Sequence, residues 1–172
     1  YTGPISITQT TVLRAAAFKA GWEATNVDTH SYLIPNDIIT QSTSGLAPGP
    51  GWAAPGNAVN GQSIDYGMDP DIVNSGDAAI GGAAQVKAAL MAIPSLSIVT
   101  DNPNLWNAST GIYMNPYGRG LIWERPCSME LMNDPAGGFQ ANCGIRIRGG
   151  FSRSGDNPKH SFHVYFRGDY GP

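Results

Sequence analysis

At 172 residues the chain is long enough for one globular domain of ordinary size, or one domain with a short appendage. Its 22 glycines and 13 prolines make up about a fifth of the sequence and charged residues only 13%, which excludes a coiled coil or a helical bundle. The formal net charge of −3 excludes a whole-molecule electrostatic binder of nucleic acid.

In chain order, residues 5–34 predict three short strands. Ile5-Ser6-Ile7 alternates, Thr11 to Lys19 places Val12, Arg14, Ala16 and Phe18 on one parity, and Asn26 to Ile34 alternates again after Gly21. Three strands resemble the end of a β-sandwich, which needs about seven. Residues 35–82 carry Pro35, Pro48, Pro50, Pro55 and Pro70 among Gly, Ser and Asn without a sustained period, as in a linker or irregular loop. Trp52, Tyr66 and Met68 are costly to expose, so part of this stretch is expected to be ordered. Ala83 to Ile93 predicts a short amphipathic helix ended by Pro94, with Ala84, Val86, Ala89, Leu90 and Ile93 on its apolar face. Leu96 to Val99 predicts a buried strand, and Asp101 the N-cap of a turn running to Trp106.

The best-patterned region follows. Trp123, Cys127, Met129 and Leu131 share one parity; Phe139, Ala141, Cys143, Ile145 and Ile147 share another, and the turn-forming run Asn133 to Gly138 lies between them. This predicts an antiparallel hairpin with one buried face. If Leu131 faces Phe139, then Cys127 faces Cys143, so the pattern permits the two cysteines as cross-strand neighbours. A disulfide and a pair of buried thiols both satisfy that register. His160 to Phe166 supplies a further strand.

Charge is unevenly placed. Residues 144–172 hold Arg146, Arg148, Arg153, Lys159 and Arg167 against Asp156 and Asp169, whereas the preceding residues are net acidic. The C-terminal sixth is therefore the part suited to a phosphate or polyanion. Within it, Gly149 to Lys159 joins two strands; its glycines let backbone N–H groups approach a ligand, and Ser, Arg and Lys are natural phosphate donors. A solvated hairpin loop is the other reading. The six-residue glycine frame from Gly150 to Gly155 is not a Walker A loop, because Asp156 stands where that motif needs Lys.

Other constellations carry less. Glu124 and Glu130, six residues apart on one strand face, lie about 20 Å apart, too far for a glycosidase pair at about 5–9.5 Å. Asp65, Asp69 and Asp71 lack the spacing of an EF-hand and read as a polar loop before a weak Ca²⁺ site. His160 and His163 fall on opposite strand faces, which disfavours a shared metal. Two cysteines make no zinc site. Asn107-Ala108-Ser109 matches the weak glycosylation acceptor pattern. No apolar run is long enough to span a membrane.

Two segments resemble known families. YTGPISITQTTVLRAAAFKAGWEATNVDTHSYLI, residues 1–34, is similar to the last half of a chitobiase/β-hexosaminidase C-terminal-type domain, an Ig/FN3-like sandwich of secreted bacterial proteins. Residues from about 94 onward resemble the N-terminal part of the CotH kinase family, the spore-coat-type atypical protein kinases. The match is carried by IPSLSIVTD, STGIY, WERPCSMEL and above all GIRIRGGFSRSGDNPKHSFHVYFRGDYG. His160 stands where members show a second basic residue after Pro-Lys.

The resemblance implies transfer of the ATP γ-phosphate to Ser or Thr of a protein substrate with a divalent metal, Mg or Mn. It implies nucleotide-binding roles for Arg148, Ser152, Arg153 and Lys159, with Lys159 in the phosphate-pairing role of a kinase β3 lysine. The resulting expectation is an α+β, β-rich chain in three parts. Residues 1–34 are a partial Ig-like sandwich, 35–82 a Gly/Pro-rich connector, and 83–172 the antiparallel sheet and short helix of a kinase-like N-terminal lobe. The chain is expected to be a fragment without the catalytic and metal-binding acids, inactive alone, from an extracellular or cell-surface bacterial protein, binding no nucleic acid. The competing expectation is a non-enzymatic adhesion module that binds carbohydrate or protein.

Overall fold

The computed structural model describes residues 2–41, 47–56, 59–77 and 79–171. The fold is α+β, with antiparallel pairing and short helices. Strands β1 (Thr11–Ala15) and β2 (Asp28–Tyr32) form one sheet. Strands β3 (Ser95–Val99), β4 (Arg125–Met132), β5 (Phe139–Arg148) and β6 (Ser161–Tyr165) form a second, in that order. The helices are α1 (Pro35–Ile39), α2 (Pro70–Val73), α3 (Ala83–Ala92) and α4 (Asn102–Trp106). The β4–β5 hairpin turns where the sequence predicts, with Asn133 (φ 58°) and Gly137 (φ 104°) in the left-handed region.

The chain divides into two compact units, each assembled from segments distant in sequence. The first comprises Tyr1–Thr40, Pro70–Ser97 and Glu130–Gln140. Here β1 pairs with β2 in the register Leu13↔His30. The buried positions of β2 are the polar Thr29 and Ser31. They are held by cross-links: the Ser31 N–H donates to Glu130 Oε2 (2.7 Å), Ser31 and Ser97 share a hydroxyl bond (2.6 Å), and Gln140 Nε2 donates to the Thr29 carbonyl (2.6 Å).

One expectation is corrected in this unit. Ile5–Ile7 is irregular, with Ile5 57% exposed; two isoleucines bury too little area to offset ordering the backbone. Helix α3 forms as predicted, stopping before Pro94, but none of its residues is buried. Val86 and Leu90 of the expected apolar face are half-buried, and the helix packs against α1 and α2, which stabilises so short a helix.

The second unit comprises Gln41–Asp69, Ile98–Met129 and Ala141–Pro172. Its core is Ile112, Cys127, Met129, Cys143, Ile145 and Ile147, flanked by Ile98, Leu105, Tyr113, Trp123, Phe162 and Val164. The strand residues are those that period-2 alternation places inward. Cys127 and Cys143 are cross-strand neighbours as the pattern permits: both thiols are buried with sulfurs 3.3 Å apart, and burial pushes both pKa values up. Strand β6 pairs with β5 in the register Arg146↔His163 and Arg148↔Ser161.

Much of the stretch read as a connector is ordered within this unit. Val59 and Gln62 bridge across a two-residue turn in which Asn60 (φ 53°) and Gly61 (φ 74°) are both left-handed, the geometry Asn-Gly favours. Beyond it Ile64 is 3% exposed. Trp52, Tyr66, Trp106, Tyr113 and His160 form a run of neighbouring rings with centroids 4.6–5.9 Å apart.

Candidate functional site

The β5–β6 register places Arg146, Arg148, His163 and Tyr165 on the sheet face opposite the core. Facing them are the loop Gly118-Arg119-Gly120 and the start of the basic loop, Gly149 and Arg153. Together with Ile147 these residues line a cleft of about 310 Å³ that, among the described residues, holds four arginines and no carboxylate.

The four arginines differ in how they are held. Arg153 is 5% exposed, and its guanidinium donates to backbone carbonyls: Nε to Gly149 (2.5 Å), Nη2 to Ile147 (2.5 Å), and Nη1 to Pro116 and to Gly118 (3.3 Å). It thus staples the 116–118 loop to the end of β5. Burial, and secondarily the neighbouring Arg119, lowers its pKa below the ordinary arginine value, yet a guanidinium stays charged in proteins. Its positive field therefore remains in the cleft wall. Arg146 is engaged by Glu124 and lies over the Tyr165 ring, 4.0 Å from the centroid. Arg119 and Arg148 are exposed, and among the described residues their side chains make no hydrogen bond or ion pair. They are the donors available to an incoming anion.

The basic loop is held in shape from the neighbouring segments. His160 is buried, with Nδ1 donating to the Ser152 carbonyl (2.6 Å) and Nε2 lying 2.9 Å from the Gln62 amide. Burial pushes its pKa down, the Ser152 bond pulls it up, and the Arg153 charge pushes it down again; the net direction is down. The Tyr113 ring lies 4.6 Å from the imidazole, and its hydroxyl donates to the Pro158 carbonyl. Gly155 has no room for a side chain, since a Cβ there would sit 2.0 Å from the Gly61 carbonyl oxygen. The Ser63 N–H donates to the Gly155 carbonyl at 3.2 Å.

Of the four residues assigned to nucleotide binding from the sequence, Arg148 and Arg153 line the cleft and Ser152 and Lys159 do not. The Ser152 hydroxyl donates to the Arg148 carbonyl (3.1 Å). Lys159 is exposed, with its N–H donating to Asn157 Oδ1 (3.3 Å). The cleft adds Arg119, Arg146 and His163, to which the family resemblance assigns no role. Arg146 and His163 were legible as outward positions on strands; Arg119 stands between two glycines, in a stretch where no local pattern shows what it faces.

The remaining candidates resolve into local roles. Glu130 accepts from the Ser31 N–H and lies 3.3 Å from His30 Nδ1, whereas Glu124 belongs to the arginine cluster. Asp65 Oδ1 caps its own turn by accepting from the Gly67 N–H (2.7 Å). Among the described residues no group of three or more His, Cys, Asp or Glu side chains could hold a metal ion, and no helix is long and apolar enough to cross a membrane. Compared with known proteins, the chain matches no family model, no curated protein and no solved structure.

Proposed function

We propose that the arginine cleft binds the phosphate groups of a nucleotide, as part of a CotH-type atypical protein kinase that passes the ATP γ-phosphate to Ser or Thr of an extracellular or cell-surface protein. In this reading the four-stranded sheet belongs to a kinase-like N-terminal lobe, and residues 1–34 are the end of an Ig-like module. The single observation that supports it is the cleft itself. Among the described residues, Arg119 and Arg148 bring unengaged forks to a cavity whose other walls carry the charges of Arg146 and Arg153, with no carboxylate in the lining. Planar guanidinium donors suit phosphate oxygens, and such charge-assisted bonds are the strong ones.

A bound divalent metal would bridge and neutralise the phosphates. The described residues offer no set of acids that fits one, so what these residues contribute is binding and orientation of the phosphate groups. Lys159 does not line the cleft and stays in the proposal as an exposed cation just before β6.

Calorimetric titration of the chain with ATP and with tripolyphosphate tests the reading. Arg119→Ala and Arg148→Ala are each expected to weaken both ligands by about tenfold, the worth of one charge-assisted hydrogen bond. Binding should weaken as salt is added. Unchanged affinity in both variants would sink the proposal, and unchanged affinity in Lys159→Ala would remove that residue from the site.

A further inference from the structure

Behind the cleft, the Glu124 side chain is 1% exposed yet has a full complement of donors. Its Oε2 accepts from Arg146 Nε (2.8 Å), and Arg146 Nη2 lies 2.8 Å from it in the ion pair. Its Oε1 accepts from Arg167 Nε (2.8 Å) and from the Tyr170 hydroxyl (2.8 Å), while Arg167 Nη2 adds a longer bond to Oε2 (3.3 Å). The seat is closed from below by Gly144, where a Cβ would lie 2.7 Å from Glu124 Oε1 and 2.6 Å from the Tyr170 oxygen. Arg146 and Arg167 lie 4.0 and 5.0 Å from the Tyr165 centroid, and the His163 ring stacks on Tyr165 at 4.4 Å.

We infer that Glu124 is the positioning residue of the cleft: it locks Arg146 against Tyr165, so that this arginine presents its remaining donors as a fixed wall to an anionic ligand. The carboxylate takes the Nε–H of Arg146 and pairs with its Nη2, leaving the Nη1 hydrogens for other partners. A rigid fork loses less freedom on binding than a solvated one, which is how a buried acid beside an anion site can favour anion binding. Simple electrostatics predicts the reverse: a negative charge behind the cleft would repel the ligand, and its removal would tighten binding. The two roles therefore differ in sign.

The inference rests on the phosphate reading for its ligand but not for its geometry, and two measurements on the full chain separate them. Tripolyphosphate is titrated into wild type, Glu124→Gln and Arg146→Lys, and the arginine Nε–H signals of each are followed by ¹⁵N NMR for exchange with water. The expected result is about tenfold weaker tripolyphosphate binding in both variants, with a slowly exchanging Arg146 Nε–H in wild type that becomes fast in Glu124→Gln. Arg146→Lys keeps the charge and loses the fork, so it decides the matter if Glu124→Gln fails to fold. Equal or tighter binding in either variant, or an Arg146 Nε–H that exchanges fast in wild type, overturns the inference. A wild-type chain that binds no tripolyphosphate but protects Arg146 in a Glu124-dependent way sinks the phosphate reading and leaves the positioning role supported.

Discussion

Arg153 shows how a basic residue in a phosphate-like motif can be structural. Its guanidinium is buried with no carboxylate partner among the described residues, and the carbonyls of residues 116, 118, 147 and 149 replace its water. Four oriented C=O dipoles suffice because each bond is charge-assisted. Lysine cannot span both loops with one ammonium, so Arg153→Lys leaves carbonyls unpaired. The expected cost is about 3 kcal/mol of stability, read as a lower urea midpoint at unchanged slope; a loss below about 0.5 kcal/mol would show that other contacts hold these walls. The residue type was visible in the sequence, but its orientation was not, because all four acceptors are backbone atoms that any residue supplies.

At the scale of elements, the hairpin and the loops follow different rules. The β4–β5 strands could be read because alternation writes burial directly into the sequence: Cys143, Ile145 and Ile147 point inward while Arg146 and Arg148 point out. The Asn60–Gly61 turn also carried its own signal, since that dipeptide favours two successive left-handed residues; the surrounding Gly and Pro made the stretch resemble a linker. What the loop from 149 to 160 rests on was not legible. Gly155 meets the Gly61 carbonyl across a separation of more than ninety residues. Gly155→Ala forces that rigid backbone contact apart, with an expected loss of about 2 kcal/mol and faster proteolytic nicking of the 149–160 loop. An unchanged melting temperature would mean that the two segments part without cost.

For the whole molecule, acid is the expected weakness, and the two buried groups behind it act in different windows. His160 has a folded pKa below 6.5, chiefly through burial, so the unfolded chain takes up the proton first and stability is lost as pH falls from about 6.5. Burial alone would raise the Glu124 pKa, but hydrogen bonds from Arg167, Tyr170 and Arg146 outweigh it and hold the group below 4.5. Its contribution is complete above about pH 4.5 and is lost as pH falls through the lowered folded value. The melting temperature should therefore drop between pH 7.5 and 5.5, and this slope should flatten in His160→Gln. A wild-type melting temperature that rises toward pH 5.5 would contradict a buried neutral imidazole.

The sequence by itself determined the α+β class, the β4–β5 hairpin, strand β6, helix α3 and the basic character of the C-terminal sixth, and it permitted the facing cysteines. Each is written in a local period, a turn residue or a charge count. Only the tertiary structure decided which basic residues share a cleft. It brought Arg119, Arg146 and His163 to Arg148 and Arg153, left Ser152 and Lys159 outside, and seated Glu124 behind Arg146. The reason is physical. A strand's alternation is enforced by its own backbone, whereas the cleft exists where the 118–120 loop meets the end of β5, and the atoms that join them are carbonyls with no signature in the side-chain sequence.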